Sequence, residues 1–280
     1  MNKKLSISIC LLLLGFGSLR PSDAATSADP KIMHVINRLS FGAHPGDVET
    51  VEKLGVEGYI QQQLHPESIP QPQTLTDQLS QLETLNLTPL QLFAQISLPK
   101  LPKGQTPTPE EKRAFRQKMA HVREQAEEAR LLQATESPRQ LQEVMVDFWY
   151  NHFNVFSNKG IDEMLVGAYE QEAIRPYALG RFRDLLAATA HHPAMLYYLD
   201  NWQNSAPNTP AKGKRAQGLN ENYARELMEL HTFGVDGGYT QQDVIALAKI
   251  LTGWTFRRSA QPGVDPNGFY FDAKRLDYSD

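Results

Sequence analysis

Cysteine is all but missing from this 280-residue chain, with Cys10 the only one. It lies in the main apolar run, residues 7–16, which is too short to span a bilayer as a stable helix. Lys3 and Lys4 precede the run, and Ser22 and Ala24 supply small residues at −3 and −1 of a cleavage site. That layout is a secretory signal peptide, residues 1–24, cut after Ala24. Ile9 before Cys10 is not the small residue that a lipoprotein anchor needs. Cleavage removes the cysteine, so residues 25–280 have no disulfide, no thiol nucleophile and no cysteine-based metal site. The expected location is the periplasm or the medium.

A second long hydrophobic run is missing too, so no membrane span is expected after cleavage. Nor is there an excess of positive charge: 28 Lys and Arg stand against 32 Asp and Glu, a formal net charge of −4. Losing Lys3, Lys4, Arg20 and Asp23 makes the balance more acidic, which argues against a nucleic-acid partner held by phosphate contacts. Several catalytic signatures are absent: the Gly-x-Ser-x-Gly elbow, the phosphate loop, His-Glu-x-x-His and the EF-hand loop. Glu229 and His231 are two apart, not the three of a di-iron bundle. Internal repeats are not visible. No pattern names a cofactor or a metal, and both stay unknown at this stage.

What is present is mostly helical. Asp29-Pro30 starts a first helix, and Pro45-Gly46-Asp47 a second that runs to about Leu64 with a break at Gly55. Thr88-Pro89 starts a short one, and residues 110–133 read as a charged, solvent-exposed helix held by i,i+4 pairs. Ser137-Pro138 caps a helix whose wheel gathers Leu141, Val144, Met145, Phe148 and Trp149 on one face, with His152 in its middle. His191 and His192 end a further helix, where cations suit the dipole. Residues 203–218 form a long polar loop, and loops of that length are usually functional or mobile. The fold class is therefore all-α: an irregular multi-helix domain with long loops and a small β excursion after Trp254, where residues 268–272 read as a strand.

Residues 219–254 organise the rest. Asn220 is an N-cap, Gly234 a left-handed helix stop, Asp236-Gly237-Gly238 a turn, and Thr240 with Asp243 a capping box. On a wheel Tyr223, Ala224, Leu227, Met228 and Leu230 share one arc, and His231 falls within it. Glu221, Asn222, Arg225, Glu226 and Glu229 take the other side. Two readings stay open. In the plain one this is a surface helix with an ordinary Glu221–Arg225 pair. In the functional one those charges line a cleft roofed by another segment, and His231 meets His152 in a shared polar interior. Glu226 or Glu229 would then be general acid/base or metal ligand, Arg225 would hold an anionic group, and His152 or His231 would move a proton.

Several motifs together resemble a bacterial family catalogued as domain of unknown function 1800. They are residues 36–42 (Ile-Asn-Arg-Leu-Ser-Phe-Gly), 147–155 (Asp-Phe-Trp-Tyr-Asn-His-Phe-Asn-Val), Arg175-Pro176, 180–185, 192–196 and Asp200-Asn201. Residues 219–234, 236–240 and Leu251-Thr252-Gly253-Trp254 extend the likeness over roughly the whole mature chain. The resemblance implies a secreted, mostly helical protein whose gene often lies beside that of a secreted sulfatase-like protein, a candidate partner. It also implies that members run on past the tryptophan motif, so residues 25–280 would be an N-terminal part of a longer domain. It names no reaction. Two functions follow as expectations: a periplasmic or secreted hydrolase-like enzyme with its site beside residues 220–231, or a non-catalytic binding or assembly partner of another exported protein.

Overall fold

The computed structural model describes residues 29–99, 101–102, 104–207, 209 and 218–279. The expected signal peptide, residues 1–24, and most of the long loop at 203–218 lie outside the described residues. Local sequence chemistry sets the first elements. Asp29 Oδ1 accepts from Lys31 N at 2.8 Å and Pro30 occupies the first turn of α1 (Pro30–Leu39). Gly55, at φ +74°, separates α2 (Asp47–Leu54) from α3 (Val56–Leu64), the expected break. Ile32, Val35, Ile36, Val51 and Tyr59 close a small core under these three helices. The buried Gln63 clamps them to the rest: its Nε2 donates to Pro138 O at 2.9 Å, and its Oε1 accepts from Leu141 N at 3.1 Å.

After α4 (Gln73–Ser80) and α5 (Pro89–Gln95), the 28-residue α6 (Pro109–Glu136) opens on a Thr108–Glu111 capping box. The expectation of a solvent-exposed helix is corrected here. Helix α6 packs against α8 (Asp162–Tyr169) and against α4 and the segment after it, and these contacts bury Met119, Val122, Gln125, Ala129 and Gln133. Large apolar residues are few because the helices approach too closely to need them: a Cβ built on Gly167 would lie 2.8 Å from Ala126 Cβ. Arg123–Glu127 is an i,i+4 pair at 2.9 Å, but Arg130 reaches across to Asp147 and Gln125 to Thr84.

Helix α7 (Gln140–His152) also departs from its wheel. Its buried residues are Gln140, Leu141, Glu143 and Val146, while Phe148 points to solvent. Ser137 ends α6, so α7 starts two residues later than expected, and its inner face carries Glu143 to Arg175. A π turn (Glu170–Ile174) follows α8 and leads to Arg175-Pro176. Then come α9 (Phe182–His191) and α10 (Pro193–Tyr198). His191 and His192 are not dipole-pairing cations. His192 Nδ1 accepts from Ala194 N at 3.2 Å as the cap of α10, His191 packs on Trp254 and Phe269, and burial lowers both pKa values.

The main core joins α5 through α10 with α11 (Asn222–Glu226) and α12 (Gln241–Ile250), around Phe153, Leu165, Tyr169, Leu196 and Tyr223. The β excursion is an antiparallel pair, β1 (Trp254–Phe256) and β2 (Phe269–Phe271), in register Trp254↔Phe271. The described chain is therefore mostly helical with one small two-stranded sheet.

Candidate functional site

Helix α11 begins on side chains. Asn220 Oδ1 accepts from Asn222 N at 3.0 Å, Asn220 N donates to Asn204 Oδ1 at 2.9 Å, and Asn222 Nδ2 donates to Leu199 O at 3.2 Å. From Leu227 to Thr232 the backbone widens into a π turn. Phe233 N and Gly234 N both reach Met228 O, at 2.9 and 3.1 Å, and Gly234 takes φ +86° to end the element. A regular helix would have turned Leu230 inward, but the wider turn leaves it 57% exposed. π turns are short, irregular and frequent at functional positions.

The π turn buries His231. Its ring lies 5.1 Å from Phe153, 6.4 Å from Tyr223 and 6.3 Å from His152. Burial, then the neighbouring His152, pushes its pKa down from 6.5 to about 4, so the ring is neutral at ordinary pH. The His231 carbonyl lies 3.1 Å from His152 Nε2. A carbonyl only accepts, so His152 Nε2 carries the hydrogen and donates it. The His152 ring sits among Phe148, Trp149, Phe153 and Phe182, with centroids 4.6–6.4 Å away.

The other three predicted residues lie apart from this contact. Arg225 Nη2 donates to Glu221 Oε2 at 3.1 Å and Gln241 Oε1 at 2.8 Å, while Gln241 Nε2 donates to the same Glu221 oxygen at 2.6 Å. This triangle fastens α11 to the capped start of α12, where Thr240 and Asp243 form their expected box. The Arg225 side chain stays 40% exposed. Burial, then Glu229 three residues on, raises the Glu226 carboxyl above its ordinary range. Among the described residues no hydrogen bond or ion pair links Arg225, Glu226 or Glu229 to His152 or His231, and no group of three or more His, Cys, Asp or Glu could hold a metal ion. Two segments could roof the charges: the loop before Asn220, mostly outside the described residues, and the segment after Gly234, from which Gln241 reaches Arg225 and Glu221.

Sequence reasoning missed a second polar centre. Asp162 is fully buried and neither carboxyl oxygen has a hydrogen-bond partner. Burial raises its pKa to about 9, with Lys159 opposing and Asp200 adding. Lys159 Nζ donates to Tyr198 O at 2.5 Å and to Asp200 Oδ2 at 3.1 Å. Asp200, at φ +60°, is the one non-glycine residue with positive φ among the described residues. Asn201 Nδ2 bonds Leu251 O and Trp254 O, and Asn204 Nδ2 bonds Ala248 O, so two asparagines tie the 3-10 turn (Asn201–Gln203) to the end of α12. The signal available was Asp200-Asn201, two residues that tolerate left-handed backbone. Asp162 gave none: an acid in a helix's first turn reads as dipole pairing.

No described helix is long and apolar enough to cross a membrane. Residues 34–280 match the family described as "Protein of unknown function (DUF1800)". Neither the curated proteins nor the solved structures contain a match.

Proposed function

The chain belongs to the DUF1800 family of proteins of unknown function, and on that premise we propose that it is an exported binding or assembly partner of another exported protein. One observation carries this reading. Around the His152–His231 contact, large apolar side chains face solvent: Phe148 is 53% exposed, Phe182 41%, Leu230 57% and Phe233 65%. Phe148 and Phe182 are in ring contact with His152, and Leu230 immediately precedes His231. Monomeric surfaces rarely group such residues, and aromatic residues are enriched where proteins meet. His152 and His231 then hold α7 against the π turn and set the surface's shape.

The partner to test first is the sulfatase-like secreted protein that the family resemblance implies. With both proteins purified, calorimetry is expected to show a saturable complex. Phe148→Ser and Phe182→Ser each weaken it at least tenfold, and Glu124→Ala on α6 leaves it unchanged. No complex, or one indifferent to both phenylalanines, rejects the reading. Export is checked separately by N-terminal sequencing after expression in a Gram-negative host, where Ala25-Thr26-Ser27 is the expected start.

A hydrolytic reading has one observation in its favour: the neutral His231 and the raised Glu226 carboxyl lie within one π-helical element and the turn before it. Under it Glu226→Gln and His231→Gln abolish turnover of an ester or glycoside panel without changing the urea midpoint. Activity that is absent from the parent, or that persists in both variants, removes it.

A further inference from the structure

Where α2 and α3 meet the end of α6 and the start of α7, a polar seam surrounds a cavity of about 330 Å3. Its polar side chains divide into two sets. Gln63 and Gln140 are engaged in the walls. Gln63 bonds Pro138 O and Leu141 N, while Gln140 Nε2 donates to Ser137 O at 2.8 Å and its Oε1 accepts from Phe41 N at 3.3 Å. These bonds fix the cavity's shape. Tyr59 and Gln62, also on the lining, bond to nothing. Tyr59 is 5% exposed and its ring closes the small core under the first three helices, yet its hydroxyl has no hydrogen-bond partner among the described residues. Buried hydroxyls are normally paired, so one left open on a cavity wall marks a place for an incoming atom.

The charge of the lining is negative. Asp47 and Glu136 lie on it, and among the described residues no lysine or arginine does. Asp47 Oδ2 accepts from His44 N at 2.6 Å with His44 Nδ1 3.5 Å away, which leaves Oδ1 unbonded. Burial, then Asp47, raises the Tyr59 pKa, so the carboxylate's field reaches the hydroxyl. Glu136 is the last residue of α6 and is in no ion pair among the described residues. A helix C-terminus penalises a carboxylate and favours a cation, and the last turn of α6 holds no basic residue. Arg139, just beyond, has its Nε on Ile69 O at 2.8 Å and is not on the lining. Two carboxylates face one imidazole, so the lining stays net negative whatever the protonation of His44.

Size and donor set narrow the class. Organic-ligand pockets run to roughly 300–1,000 Å3, and this one lies at the small end. A bare metal ion is poorly served, because no group of three or more acidic or histidine side chains converges among the described residues. An ammonium group asks only for acceptors, to which it offers three N–H donors. The free hydroxyl of Tyr59 and the free amide of Gln62 each both donate and accept, as a ligand hydroxyl requires. We propose that the cavity binds a small hydroxylated amine of amino-sugar size, its ammonium held by Asp47 and Glu136 and its hydroxyls by Tyr59 and Gln62. None of these residues belongs to the His152 surface, so each reading stands or falls alone.

Calorimetric titration of the full chain with glucosamine, galactosamine and ethanolamine, in an amine-free buffer at neutral pH, tests it. At least one is expected to bind saturably with one site per chain. Glucose and N-acetylglucosamine, which lack the charge, and Nα-acetyl-lysine amide, which lacks the hydroxyls, bind at least tenfold more weakly. Glu136→Gln, at an exposed position, weakens binding at least tenfold while the urea midpoint is unchanged or raised. Tyr59→Phe keeps the ring in its core and weakens binding by losing the hydroxyl alone. Glu110→Gln, at the other end of α6, leaves affinity unchanged. Failure of all three amines overturns the proposal, since the cavity then holds solvent only. So does an uncharged sugar or the lysine amide binding as tightly as they do, or affinity that Glu136→Gln and Tyr59→Phe both leave intact.

Discussion

Two arginines show how far a side chain's surroundings decide its worth. Arg175 is nearly enclosed, with Nη1 2.8 and 2.9 Å from the two oxygens of Glu143 and Nη2 3.0 Å from Glu170 and 2.8 Å from Gln133. Removing it leaves Glu143 buried without its cation and Glu170 with only Arg130 at 3.8 Å, a loss of about 3–5 kcal/mol. Arg225 also holds a carboxylate, but at 40% exposure, where an ion pair contributes about 0–1 kcal/mol. Urea denaturation is expected to place Arg175→Met far below the parent and Arg225→Ala within about 1 kcal/mol of it. Equal midpoints for the two variants would contradict this. Sequence alone ranked them the other way: Arg225 sits in a long motif with an i,i+4 acid, whereas Arg175 stood out only as Arg-Pro. Its partners lie 5, 32 and 42 residues away, and no local pattern records the last two distances.

At the scale of elements, what was legible is what neighbours in sequence control. The Asp29-Pro30, Thr88-Pro89 and Thr240–Asp243 starts, the Gly55 break and the Gly234 stop all occur where side chain and backbone chemistry place them. The two π turns had no such signal, because an inserted residue is tolerated by packing and not requested by any cap. Helix α6 was misread because its partner supplies the missing bulk by coming close. That closeness is testable. Gly167→Ala should gain up to about 1 kcal/mol of helix propensity, yet its Cβ would sit 2.8 Å from Ala126 Cβ. Overpacking of this kind costs about 1–3 kcal/mol, so net destabilisation is expected. Adding Ala126→Gly should restore most of it. A Gly167→Ala protein as stable as the parent would mean that α6 and α8 slide apart freely.

Over the whole molecule, buried titratable groups pull stability in two directions with pH. His231, at about 4 against 6.5 unfolded, binds fewer protons when folded, as do the lowered His191 and His192. Their effect is that stability rises with pH between about 4 and 6.5 and is constant above, with His231 alone giving on the order of 3 kcal/mol. Asp162 acts oppositely. Its folded pKa of about 9 lies above the unfolded 3.8, so the folded state holds a proton the unfolded one releases. That stabilisation is present below 3.8 and is lost as pH rises through 9. Below about 6.5 the three histidines outweigh one carboxyl; above it only the carboxyl's slope remains. Thermal melts from pH 4 to 9 should therefore peak near the ordinary histidine range and fall on both sides. Asp162→Asn keeps the shape and removes the charge, and Lys159 and Asp200, which face it, retain their own pair at 3.1 Å. The variant should hold its melting temperature from pH 7 to 9 where the parent declines, and climb more steeply than the parent on the acid limb, where the carboxyl no longer opposes the histidines. His231→Gln should do the reverse, flattening the acid limb alone. If Asp162→Asn declines in alkali as steeply as the parent, the carboxyl is already ionised in the folded protein and has a partner at neutral pH.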